Sequence, residues 1–91
     1  MADTEKGYGL VMTGQLRSLK AHTDVNKETG ETYDKLRAVI DVGEDFFRFV
    51  DAKAGSDAAK EMERDLRSKV GQVVSVRCWA RYALNFSGAT G

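Results

Sequence analysis

From Tyr8 the apolar side chains fall on even positions, Tyr8, Leu10, Met12 and Leu16, with Gly14 between them, while Thr13, Gln15 and Arg17 are polar. Alternation with period two puts successive side chains on opposite faces and marks a half-buried strand. The phase slips at Leu19. Gly9 and Gly14 are candidate bend points, as a long first strand would need. Residues 21–32 are polar and turn-rich, with Asn26 and Gly30 as the expected left-handed positions. Strand patterns flank this stretch, so it reads as a long hairpin arm. In the second strand Leu36, Ala38, Ile40 and Val42 face one way, and Tyr33, Lys35, Arg37, Val39 and Asp41 the other. A short turn at Gly43-Glu44-Asp45 leads into a third strand, Phe46–Val50.

Residues 52–55 are expected to leave the sheet. Ser56 is a good helix N-cap, and Asp57 follows in the first turn, where the helix dipole favours an acid. Ala58, Ala59, Met62, Leu66 and Val70 then make an apolar stripe at helical spacing. Glu63–Arg67 and Asp65–Lys69 are i,i+4 pairs for the exposed side, and Arg64 and Arg67 read as solvated. Gly71 ends the helix, which is expected over about 56–70. A final strand runs from Gln72 to about Phe86. Val74, Val76, Cys78, Ala80, Tyr82 and Leu84 share its inner face, and Val73, Ser75, Arg77, Trp79, Arg81, Ala83 and Asn85 its outer face.

The order is strand, hairpin arm, strand, strand, helix, strand. A long bent strand, a meander and one helix before the closing strand predict a mainly β fold, a small OB-like antiparallel barrel. Such a barrel has five strands and the pattern supplies four, so the fifth must come from a bend in the first or last strand. The whole chain, 1–91, reads as one domain, with 1–7 and 87–91 as flexible tails.

Composition narrows the function. The 14 Lys and Arg balance the 14 Asp and Glu, so bulk positive charge does not drive binding to nucleic acid. One Cys (Cys78) and one His (His22) build neither a disulfide framework nor a His/Cys zinc site within one chain. No metal or cofactor is expected. No apolar run reaches the ~18 residues of a membrane span, and the first residues lack an apolar signal core, so a cytoplasmic protein is expected. A core this small would gain from pairing of two copies, and a homodimer is expected.

Catalysis has little to work with. A nucleophile needs a base beside it, but His22 sits in the arm and Cys78 reads as core filler. No calcium or phosphate-binding loop is present. The chain reads as a non-enzymatic protein. The outer strand faces are more informative. Arg77, Trp79 and Arg81 alternate along the last strand, and Tyr33, Lys35 and Arg37 along the second. Rings flanked by cations suit single-stranded nucleic acid, because bases stack on aromatic faces while Lys and Arg meet phosphates. The same Arg–Trp–Arg face also suits cross-strand packing or cation–π pairing. Of Phe46, Phe47 and Phe49, two are expected in the core and the third at a rim, with Phe47 or Phe49 able to add a stacking surface.

Two short motifs, Gly30-Glu31-Thr32-Tyr33 and Asp41-Val42-Gly43-Glu44, carry a resemblance. They are similar to the hairpin wing and following turn of the helix-destabilising, single-stranded DNA-binding proteins of filamentous phages. The match covers about residues 20–51. That family forms OB-like barrels that pair as dimers and coat viral single strands. The resemblance implies that Tyr33 stacks on a base and that the basic residues beside it hold phosphates. The helix at about 56–70 and the zero net charge depart from the family.

The expected function is therefore non-sequence-specific binding of single-stranded DNA in phage or plasmid replication. Tyr33, Lys35, Arg37, Phe47, Arg77, Trp79 and Arg81 form the expected contact face. RNA fits the same residues, since telling the two apart requires contact with the 2′-hydroxyl, which leaves no sequence signature. The alternative is a protein-interaction or assembly module on the same aromatic face, because Trp, Tyr and Arg are also favoured at interface hot spots.

Overall fold

The structure is a computed structural model and describes residues 8–80 and 84–89. Five strands and one helix follow in the order β1 (Tyr8–Val25), β2 (Thr32–Asp41), β3 (Phe47–Lys53), α1 (Asp57–Leu66), β4 (Val73–Ala80) and β5 (Leu84–Ala89). The strands close into a barrel in the order β1-β2-β3-β5-β4. Four seams are antiparallel, and the β3–β5 seam is parallel. This is the OB-like barrel that the pattern predicts, with the helix between the third and fourth strands.

Closure depends on the length of β1. Its first half pairs with β4 from Tyr8 to Gln15, and its second half with β2 from Gln15 to Val25. The strand must therefore turn a corner near Gln15. Gly14 permits it: a Cβ there would run into the Asp41 carbonyl and stand 2.8 Å from Ile40 Cγ2. A bulge between Leu16 and Ser18 follows. The extra residue moves the apolar phase by one, so Leu16 and Leu19 are both buried. The slip in the sequence pattern is this bulge.

The inner faces of the strands supply Leu16, Leu19, Ala38, Ile40, Val50, Ala52, Val74, Val76, Cys78 and Phe86 to the core. Helix α1 adds Ala59, Met62 and Leu66. Ser56 caps the helix, its Oγ accepting from the Ala59 N–H at 3.1 Å. The helix is shorter than its pattern. It gives way to a 3-10 turn at Arg67–Lys69, and the chain leaves that turn extended at Val70. Val70 is therefore 42% exposed rather than part of the core stripe. Gly71 follows with φ 94°, a conformation that glycine adopts without a Cβ clash. Glu63 pairs with Arg67 as expected, but Asp65 pairs with Arg64 rather than Lys69. Arg67 does more than face water. Its Nη1 donates to the Leu19 carbonyl at 2.8 Å and ties the helix end to β1.

Four further boundaries differ from the pattern. Strand β3 runs on to Lys53, because Asp51 and Ala52 continue its pairing with β2. The hairpin arm is mostly strand: β1 and β2 stay paired out to Val25–Thr32, leaving 26–31 as the connection. Gly30 has φ 75°, whereas Asn26 is not left-handed; its side chain instead accepts from the Glu28 N–H at 2.9 Å. The closing strand divides into β4 and β5, which pair with each other and so supply the fifth strand. Ser87, Gly88 and Ala89, expected as tail, extend β5, with Gly88 opposite Arg77 and Ala89 opposite Val76. The expected loose ends at 1–7 and 90–91 lie outside the described residues. Among the described residues no helix is long and apolar enough to cross a membrane.

Candidate nucleic-acid interface

The outer face of β1, β2 and β3 is set by strand register. Because Leu36, Ala38 and Ile40 turn inward, Tyr33, Lys35, Arg37, Val39 and Asp41 of β2 turn outward. Their β3 neighbours are Lys53, Asp51, Phe49 and Phe47, opposite Lys35, Arg37, Val39 and Asp41 respectively. On the other side, β1 places Asp24, His22 and Lys20 opposite Tyr33, Lys35 and Arg37.

One end of this face is aromatic. Phe47 and Phe49 are 45% and 49% exposed, and Phe46 in the adjoining turn is 57% exposed. The expectation that two of these rings fill the core is therefore wrong. The reason is parity: Val50 and Ala52 take the inner positions of β3, so Phe47 and Phe49 share the outer side with Asp51. The tight turn adds to this. Asp41 Oδ1 accepts from the Gly43 N–H, Glu44 and Asp45 take positive φ, and Phe46 closes the turn onto Gly43 and Val42. Each ring has a cation near its face. Arg37 lies 4.6 Å from the Phe49 centroid, Arg48 4.9 Å from Phe46 and Arg17 6.0 Å from Phe47. Lys35 lies 6.0 Å from Tyr33.

The centre of the face is an ion network. Asp51 accepts from Arg37 Nε at 2.8 Å and Nη2 at 3.1 Å, and Lys35 Nζ is 3.0 Å away. Lys35 also donates to Asp24 at 2.8 Å. Burial pushes the Asp51 carboxyl up, but hydrogen bonds and charge from Arg37 and Lys35 outweigh it and hold it below the ordinary carboxylate value. Burial likewise lowers Lys35, and its bonds to Asp24 and Asp51 more than reverse that. Asp41 is held low by Arg17, 2.9 Å away.

The structure sorts the expected contact residues. Tyr33 is exposed, on the arm, where a cleft of about 780 Å³ is lined by Asp24, Tyr33, Lys35 and Lys53 among others. Lys35, expected as a phosphate contact, is buried at 7% exposure between two carboxylates. Arg37 is half-buried against Asp51. Phe47 is exposed as a stacking ring would be. Arg77 is exposed on the outer face of β4, and Trp79 beside it is half-buried. Trp79 pairs with Asn85, which pairs with Asp51, which pairs with Arg37, so these four form one row across four strands. At ~4.8 Å between strands, Trp79 lies within roughly 10 Å of Asp51. Tyr33 is further, about 20 Å along β2 from the Val39–Phe49 row at ~3.3 Å per residue. Arg81 lies outside the described residues.

Sequence reasoning did not single out Asp51, Arg17, Arg48 or Lys53. Asp51 was the legible one, as an acid at an alternation position shared with two Phe residues. Cys78 is 1% exposed in the core, as its pattern predicts, and burial pushes its thiol up. Set against known proteins, the chain matches no family model, no curated protein and no solved structure.

Proposed function

We propose that the protein binds single-stranded DNA without sequence preference, on the outer face of β1–β3 with Trp79 at its margin. The carrying observation is the set of exposed rings on this face, Phe47 and Phe49 together and Tyr33 about 20 Å away along β2, each with a cation close to its face. A small domain leaves such rings in water at a cost unless something covers them. Bases do so without a sequence code, since every base offers a flat face. Lys20 and Lys53, exposed on this face opposite Arg37 and Lys35, form no ion pair within 4 Å among the described residues, which leaves them for phosphates. Replication of a phage or plasmid in the cytoplasm, with the protein acting as a pair of copies, is the setting that fits the resemblance of the arm.

The test is a titration of Trp79 fluorescence with oligothymidine at low and high salt. Trp79 is the only Trp in the chain, so the signal has one source. Quenching that salt reverses supports the reading, and an unchanged spectrum in the folded protein at low salt contradicts it. RNA is separated from DNA by repeating the titration with oligouridine.

A second reading, a protein-interaction module, is favoured by one observation. Lys35, Arg37 and Arg17 are already paired with acids, so the face is less positive than its sequence suggests. A protein that ignores oligothymidine and sediments as a complex with itself would match that reading.

A further inference from the structure

At 5% exposure, Asp51 is as withdrawn from water as many core residues, although it sits on the outer side of β3. It engages two of the cations that the sequence marks as phosphate contacts, Arg37 at 2.8 Å and Lys35 at 3.0 Å. Two of the three Lys35 Nζ donors point to acids, Asp51 and Asp24. Arg37 spends Nε and Nη2 on Asp51. A bidentate guanidinium–carboxylate pair is among the strongest and most directional in proteins. A phosphate arriving here would have to displace an anion already in place and already dehydrated. The same pair fixes where the guanidinium lies, over the Phe49 ring with 4.6 Å to its centroid. Arg37 and Phe49 are diagonal cross-strand neighbours, so this contact needs no strand movement.

We infer that Asp51 is a positioning residue: it withdraws Lys35 and Arg37 from phosphate contact and fixes Arg37 as a wall beside Phe49. A bound strand is then held mainly by stacking, with its phosphates on Lys20 and Lys53. This rests on the single-strand reading above and adds to it which groups carry charge and which carry bases.

The experiment is the salt dependence of oligothymidine affinity for the full chain and three variants. Each phosphate neutralised on a single strand contributes about 0.7 to the slope of log affinity against log salt. The wild type should show a shallow slope, about 1.4 for two contacts. Lys20→Ala with Lys53→Ala should remove most of it. Arg37→Gln should weaken binding several-fold while leaving the slope unchanged. Asp51→Asn frees Arg37, while Lys35 keeps its pair with Asp24, and should steepen the slope by about 0.7. A merely structural role for Asp51 would weaken binding without changing the slope. If Asp51→Asn does not fold, the other two variants decide. A slope that falls by about 0.7 in Arg37→Gln makes Arg37 a phosphate ligand and overturns the inference while leaving single-strand binding intact. A wild type that binds no oligothymidine at any salt overturns the binding reading itself, a result distinct from any change of slope.

Discussion

Lys35 Nζ stands 3.0 Å from Asp51 Oδ2, and both side chains are less than a tenth exposed. Two strands that pair antiparallel thus carry a buried ion pair on what the sequence pattern marks as their wet face. Removing one partner of such a pair costs ~3–5 kcal/mol, because the other is left charged and dehydrated. Lys35→Ala should fall at the low end, about 3 kcal/mol, since Arg37 still satisfies Asp51. Lys53→Ala, at the exposed position across β3, should change stability by less than about 0.5 kcal/mol. Urea unfolding of both variants checks this, and equal losses would contradict it.

This network and the separate Arg17–Asp41 pair should set the acid limit of the fold. Asp24, Asp41 and Asp51 all have pKa values below the ordinary 3.8 in the folded chain. A depressed carboxylate gives stability that is fully present above its unfolded value and is lost as pH falls through the folded one. Stability should therefore hold steady down to about pH 5 and decline below ~4. Arg37→Gln removes a main cause of the Asp51 shift, so its decline should be shallower. Unfolding midpoints across that range test the sign.

Gly14 is the corner of β1, and the space around it is closed by the Asp41 carbonyl and Ile40. Gly14→Ala should cost about 1–3 kcal/mol, as overpacking of a tight site does. Gly9→Ala makes a matched control, because nothing lies within 4 Å of a Cβ there. Thermal unfolding of the two variants should differ by several degrees, and equal midpoints would mean the corner does not need its glycine.

Most of the barrel was legible because its inner faces alternate cleanly. Val74, Val76 and Cys78, or Ala38 and Ile40, give the core of their strands without ambiguity. The bulge in β1 showed as a phase slip at Leu19. The strand count required a bend in the first or last strand, but the place of the β4–β5 reversal did not show, because the inward residues Cys78, Ala80, Leu84 and Phe86 are all even-numbered and one straight strand fits them equally well. The site was half legible. Pattern placed Tyr33, Lys35 and Arg37 on one outer face, but charge pairing across strands is invisible in a single strand. Asp51 lies 14 or more residues from its cations, and only register brings them together. The Phe residues were misplaced for a related reason: three rings in four residues read as core, and only the small inward pair Val50 and Ala52 shows that the core wall is already filled.

The most direct test of the account is the affinity of a labelled oligothymidine for the wild type and for Phe49→Ala. The ring is about half exposed and outside the core, so the variant should fold. Loss of one stacking ring is worth ~1–3 kcal/mol, so affinity should fall by roughly fivefold to a hundredfold. A folded Phe49→Ala protein that binds as tightly as the wild type would contradict the claim that this face holds the strand.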